Sequence, residues 1–383
     1  MKFQRQFPQR FARLFPTRFP QATPVVAAAV VAMFATIFLG SFQPAAAGPA
    51  SSQGRYQALA PISQGNLTIF PVVSTETFDT HEFLTLDEGL HSGAVIVTEA
   101  GSVPAMIRRH GSRPSIQSGA EVNRLLLVNN SARPLLLLAG EIVTGGKQDR
   151  IVGKDRIIPA DSDADLGVFC VEPGRWVQSS AEFKGAGMQM AQPSIRNQAI
   201  AAKDQSGVWA AVRSSENVMV EGIAPASPTA AAGLAGTTSY ARVMQNKDVE
   251  KRVDSVAAPL LHSYQSLMRN LRARKAVGVV VAVNGKIIWA DIFASTELLE
   301  KYWPKLARSY AAEALTAQPA DEAASQKSAQ QFLERTQGAH EVVESEPGVY
   351  RHSEITGDDF KLFDLTSLLP GTGFELHLSK MAE

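Results

Sequence analysis

VNRLLLVNNSARPLLLLAGEIV, residues 122–143, holds two apolar runs joined by Asn129-Asn130-Ser131, and its reading decides the fold class. Short apolar runs bounded by turn-forming residues are strand text. The second run, PLLLL, has no polar face, which implies a strand covered on both sides and central in its sheet. GEIVTGGKQDRIVGKDR, residues 140–156, follows directly; Gly145-Gly146 supplies the positive φ that a tight hairpin needs, and Gly153-Lys154-Asp155 marks a second turn. Beyond RIIPAD and the loop DSDAD, LGVFCVE at 166–172 is a further strand, ended by Pro173-Gly174. A polar ribbon is thus flanked by strands on both sides.

Outward toward the N-terminus, LTIFPVV at 67–73, EFLTL at 82–86 and GAVIVTEA at 93–100 read as strands separated by Gly, Pro, Asn and Ser clusters. Residues 48–62 are small and polar, a flexible tether. Residues 1–47 have the form of an export signal: Lys2, Arg5, Arg10, Arg13 and Arg18 are basic without an acid among them, residues 25–39 are almost wholly apolar, and AAAG offers cleavage after Ala47. The apolar run is short against the roughly 20 residues that spanning requires. If it stays uncut, it is an N-terminal membrane anchor. The expected destination is the periplasm or the outside of the cell. Cleavage leaves 32 basic against 37 acidic residues, a formal charge of −5, which gives no general attraction to nucleic acid. The lone Cys170 rules out an internal disulfide framework.

Outward toward the C-terminus, residues 194–214 look helical, whereas 221–239, rich in Ala, Gly, Pro and Ser, reads as a loop or internal seam. Val253, Val256, Leu260, Leu261, Tyr264, Leu267, Met268 and Leu271 recur at helical spacing. AVGVVVAVNGKIIWADIF at 276–293 is a hairpin across Asn284-Gly285, and a helix capped by Thr296 follows, with Pro304 inside it. The polar stretch 317–331 continues as exposed helix, and GVYRHSE, FKLFDL and FELHLS are terminal strands. The order is a strand-rich N-terminal part with a mixed or antiparallel sheet, then helix, hairpin, helix and terminal strands. That is α+β.

The polar groups supply the candidate chemistry. Were the ribbon and the 170–176 segment adjacent, Glu141, Lys147, Gln148, Arg150, Glu172 and Arg175 would surround one pocket with Trp176 at its wall. Arg forks would grip a phosphate or carboxylate, Gln and Glu would read amides or hydroxyls, and Trp176 would stack on a ring. The same groups would equally serve as an internal ion-pair network. On an extended ribbon Gln148 and Arg150 share one face, Lys147 and Asp149 the other. Glu141 and Glu172 also suit general acid and base, with their separation the deciding property. Asp291 alternates with Trp289 and Phe293 and either bonds to nearby backbone or reaches into the pocket. Cys170, between Phe169 and Val171 with no nearby His, reads as a small buried hydrophobe rather than a nucleophile.

Other chemistries find no motif. No P-loop or dinucleotide fingerprint is completed. The seven histidines are scattered; His352 and Glu354 share a face in RHSE, but two ligands at i and i+2 make no metal site. No cofactor and no metal are expected.

The chain resembles the ARPP domain family, named for association with ADP-ribosylglycohydrolase and rhodanese or phosphatase-like proteins. LLLLAGEIVTGGKQDRIV, VFCVEPGRW, and GVVVAVNGKIIWADIFAS followed by a Trp-containing helix carry the resemblance, from about residue 60 to the C-terminus. It implies a shared polar centre at Glu141, Lys147, Gln148, Arg150 and Cys170 to Trp176, with Asp149 where Asn is usual, and names no reaction. The leading expectation is an exported domain that binds a small polar or anionic ligand at that centre. The alternatives are a hydrolase using Glu141 or Glu172 as general acid or base, and an envelope structural or protein-interaction module. No protein partner is indicated.

Overall fold

The computed structural model describes residues 54–99, 123–175, 177, 179–270, 274–318, 320 and 322–383. The export signal expected at 1–47, the first part of the tether and Trp176 lie outside the described residues.

Strands from both ends of the chain build the largest sheet, which is antiparallel throughout. Its spatial order is Tyr56–Ala58, Leu67–Ser74, Lys275–Val283, Lys286–Phe293, Glu375–Ala382, Phe360–Ser367, Tyr350–Thr356 and Ala339–Glu346, with Ile62–Gln64 also paired to Leu67–Ser74. The hairpin at its middle turns where expected, with Asn284 at φ 51° and Gly285 at φ 72°, the left-handed pair of a type I′ turn. Alternation then sorts the side chains. Val279, Val281, Trp289 and Phe293 face the main core under helices Lys247–Asn270 and Thr296–Thr316, while Val280, Ala282, Ala290 and Ile292 face a second core closed by helix Gln326–Glu334.

The remaining strands form a closed six-stranded barrel and a small three-stranded sheet. Around the barrel run Ser162–Cys170, Arg124–Asn129, Val95–Glu99, Glu182–Met190, Glu141–Thr144 and Arg150–Val152. Leu135–Leu137 is central in the small sheet, between Arg156–Ile158 and Leu84–Thr85. Leu136 and Leu138 pack into the main core while Leu135 and Leu137 pack with the barrel residues, so PLLLL is covered on both faces. The class is α+β. Its parallel contact between Leu84–Thr85 and Leu135–Leu137 makes the small sheet mixed.

Five expectations change in detail. The tether ends before residue 56, because Tyr56 and Ala58 are buried and the Tyr56 hydroxyl donates to Glu375 at 2.7 Å. EFLTL is a strand only at Leu84–Thr85, since Thr85 and Glu88 form a capping box that starts helix Leu86–Ser92. The stretch 221–239 carries helix Pro228–Leu234, with Pro at its start and Ala231 and Leu234 buried in the main core. In 317–331 the helix begins only at Gln326, capped by Ser325, and buries Ala329, Phe332 and Leu333. Ser295, not Thr296, caps the long helix by accepting from the Leu298 amide at 3.0 Å. Among the described residues no helix is long and apolar enough to cross a membrane.

Candidate functional site

The ribbon folds as a hairpin with residues 145–149 as its loop, pairing Ile142 with Ile151 and Val143 with Arg150. Arg150 in turn lies opposite Cys170 on the neighbouring strand, which brings the ribbon and the 170–175 segment together at one end of the barrel. Because 147–149 is loop rather than strand, the expected alternation of side chains starts only at Arg150. Each loop residue is instead held by its own bond. The Lys147 amide donates to Glu99 Oε1 at 2.8 Å, the Gln148 amide side chain to the Glu172 carbonyl at 3.1 Å, and the Asp149 amide to Glu172 Oε2 at 3.1 Å. Asp149 accepts from the Gly145 amide and the Ser239 hydroxyl, tying the ribbon to the cap of helix Tyr240–Met244.

Arg175 closes this loop from outside. Its guanidinium sits 2.6 Å from Glu172 and 3.3 Å from Asp149 and donates to the carbonyls of Gly145 and Gly146. Burial and the Glu172 charge push the Asp149 carboxyl up. Arg150 is fully buried, with Glu99 at 4.0 Å, and donates to the Asp149 carbonyl. Cys170 is buried as well; burial pushes its thiol up, and its backbone is clamped to both ends of the Gln205 amide at 2.9 Å. A thiol so placed is a poor nucleophile.

The expected single centre is divided, because Glu141 and Asp291 are engaged elsewhere. Glu141 lies on the buried side of its strand, 2.5 Å from Lys305 of the long helix, and accepts the Leu138 amide at 2.8 Å. Lys305 also meets half-exposed Asp87 at 2.7 Å. Two carboxylates therefore share one ammonium: burial pushes Glu141 up, while Glu141 and Asp87 hold Lys305 protonated against the cost of its burial.

Asp291 belongs to a third group. Arg196 forks onto it at 2.9 and 3.0 Å, Tyr310 donates to it, and His377 Nε2 lies 3.3 Å away. Burial opposes its charge, yet Arg196 and His377 hold its carboxyl far below the usual range. On its other nitrogen, His377 meets Asp155 at 2.5 Å, and Asp155 accepts the Ala139 amide at 2.7 Å. Arg196 also covers the Trp289 ring at 4.3 Å and passes so close to Gly140 that a Cβ there would stand 2.8 Å from its Nε. Gly140, at φ 97°, is the one residue type this crossing admits. Sequence reading missed Arg196, Lys305 and His377, although Lys305 falls three residues after Tyr302, on the buried stripe of its helix.

One space open to a ligand lies at the second turn. A pocket of about 350 Å³ is lined by Lys154 from that turn, Phe169 of the barrel, Ile200 and Lys203 after helix Pro193–Asn197, and His352, Glu354 and Phe363 of the large sheet. Residues 198–202 form a single π-helical turn, a feature that concentrates at functional sites, and Lys203 follows it in the left-handed conformation at φ 52°. His352 is 3% exposed and its Nδ1 has no hydrogen-bond partner. Burial pushes its imidazole down, as do Lys154 and Lys203, against the opposing pull of Asp155 and Glu354. Lys203 pairs with Glu354 at 3.0 Å. The alternation in RHSE was the available signal; nothing local to Gly153-Lys154 or to Lys203 placed either beside it. Among the described residues no group of three or more His, Cys, Asp or Glu is placed to hold a metal ion. Two larger depressions, of about 990 and 830 Å³, lie beside Arg55 and Gln330 and beside Leu90 and Phe183.

Residues 55–380 match the family model described as the ARG and Rhodanese-Phosphatase-superfamily-associated Protein domain. No curated protein and no solved structure matches the chain.

Proposed function

The chain belongs to the family of that domain, whose description names associations and no reaction, and we propose that it is exported and binds a small anion with an apolar body in the pocket at Lys154, Lys203 and His352. The observation that carries this reading is the buried His352 ring, its Nδ1 unpartnered, in a wall shared with two lysines and two phenylalanines. Pockets that bind small molecules combine an apolar lining with a few convergent polar groups. Lys203, paired with Glu354 at 3.0 Å, and Lys154 bring two basic side chains into the lining, and Phe169 and Phe363 suit a ring or branched chain attached to an anion.

The ligand class is the one expected from the ribbon, but its place moves from Arg150 and Arg175 to the ribbon's second turn. A hydrolase built on Glu141 or Glu172 finds less support, since Glu141 is sealed against Lys305 and Glu172 is engaged by Arg175 and the Asp149 amide. We read Glu141 and Asp291 as internal struts. Thermal unfolding of the full chain at pH 7 with benzoate, benzyl alcohol and inorganic phosphate tests the proposal. Benzoate at saturating concentration raises Tm by about 3 °C or more, benzyl alcohol does not, and Lys203→Met or His352→Gln removes the response. Arg175→Ala keeps it. A benzoate response that survives both pocket substitutions places the ligand elsewhere and ends this reading.

A further inference from the structure

The larger of the two depressions, about 990 Å³, lies where the edge of the large sheet meets helix Gln326–Glu334. Tyr56–Ala58 is the edge strand, so one row of its backbone groups has no neighbouring strand. Two glutamines one helical turn apart take that place. Gln330 accepts from the Ala58 amide at 2.8 Å and donates to the Tyr56 carbonyl at 3.1 Å, while Gln326 donates to the Ala58 carbonyl at 2.8 Å. Across the end of the sheet, Tyr56 and Lys275 both stand opposite Ser74, and the Thr75 amide bonds the Arg55 carbonyl at 3.2 Å. The backbone that carries Arg55, Arg274 and Lys275 is thus fixed around one strand end, beside a helix that is itself bonded to the edge.

Four basic residues line this depression, Arg55, Arg274, Lys275 and Lys327, against one acid, Glu334. Glu334 is engaged by the Gln330 amide at 2.9 Å. Arg55 lies over the Tyr56 and Phe78 rings and has its nearest carboxylates, Glu76 and Glu375, only at 4.0 Å. Arg274, Lys275 and Lys327 are exposed and have no ion pair among the described residues. A cleft lined by charge of one sign concentrates ligands of the other. We propose that this depression binds an acidic glycan, a chain of sugar units carrying carboxylates, with Arg274, Lys275 and Lys327 on the carboxylates and Gln57, Thr75 and Gln331 on the hydroxyls. The amides and the hydroxyl in the lining suit a hydroxylated chain better than a compact phosphate. An acidic peptide fits less well, because the edge backbone it would use for strand addition is already taken by Gln326 and Gln330. The site shares no lining residue with the pocket at His352 and stands apart from the reading given above.

Equilibrium dialysis of the full chain against tetragalacturonate, maltotetraose, hexaglutamate and tripolyphosphate tests it. Tetragalacturonate is expected to bind, and the other three to bind more weakly or not at all. Arg274→Ala combined with Lys275→Ala weakens tetragalacturonate by about fivefold or more, and so does Lys327→Ala combined with Arg274→Ala. All three positions are exposed, so these variants keep the fold. Lys251→Ala, an exposed position on helix Lys247–Asn270, and Lys203→Met in the other pocket leave the affinity unchanged. Equal affinity for hexaglutamate or tripolyphosphate would mean that the depression attracts charge alone, and equal affinity for maltotetraose that the cations play no part. Either result overturns the proposal, as does a parent chain that does not bind tetragalacturonate, a pair of double variants that bind it like the parent, or a loss of binding in Lys203→Met.

Discussion

At the scale of single residues, the polar side chains that stood out as candidate chemistry divide by whether their charge is answered inside the protein. Asp291 is the clearest case, with a guanidinium forked onto it, a phenol and an imidazole around it, and no exposure. Breaking a buried pair by removing one partner strands the other charge, at roughly 3–5 kcal/mol. Arg196→Met should therefore lower stability by about that amount in denaturant unfolding, and Arg196→Met with Asp291→Asn should recover a substantial part of it. A double variant no more stable than the single one would mean that Asp291 is not the group Arg196 answers. The sequence showed that Asp291 lies between two aromatics on one strand face, but not its partner, because Arg196 is 95 residues away. The same limit hid the pocket: RHSE showed His352 and Glu354 side by side, whereas Lys154 and Lys203 arrive from other parts of the chain.

Among the elements, the helix Thr296–Thr316 reaches the small sheet, the barrel and the large sheet. A capping residue at its start made it legible, and its buried stripe carries polar side chains, each aimed at a different neighbour. Tyr302 donates to the Leu136 carbonyl of the small sheet, Lys305 meets Glu141 of the barrel, Ser309 donates to the Ala191 carbonyl, and Tyr310 donates to Asp291 of the large sheet. Pro304 sits on the half-buried side and removes one helical hydrogen bond without blocking these contacts. Lys305 is the critical one, because it is the single ammonium between a buried carboxylate and a half-exposed one. Lys305→Met should destabilise the fold by roughly 3–5 kcal/mol, and adding Glu141→Gln should restore much of the loss, since the amide still accepts from Leu138. Equal unfolding midpoints for Lys305→Met and the double variant would show that the carboxylate was never stranded. The barrel was less legible than this helix: its strands could be read one by one, but closure depends on Arg150 lying opposite Cys170, a register that no local pattern carries.

Over the whole molecule, the linear order of strand-rich and helix-rich parts is not the spatial one, because Tyr56–Ala58, Ile62–Gln64 and Leu67–Ser74 complete a sheet otherwise built from residues beyond 274. His377 joins the two ends of this arrangement, reaching across 222 residues of sequence to Asp155 beside the small sheet while touching Asp291 on the neighbouring strand. Burial works against its charge, but Asp155 and Asp291 raise it to about 9. A histidine raised in the fold contributes stability that is complete below its unfolded value, about 6.5, and is lost as pH rises through the folded one. The stability difference between the parent and His377→Gln should therefore be largest at pH 6 and shrink by roughly 3 kcal/mol toward pH 10. The difference is the proper readout, because Lys380, brought down to about 7 by burial, and Lys154, at about 8, gain stability over the same range. Chemical unfolding at half-unit steps between pH 6 and 10 measures it, and a difference that stays flat across that range would mean that His377 is held neutral between its two carboxylates.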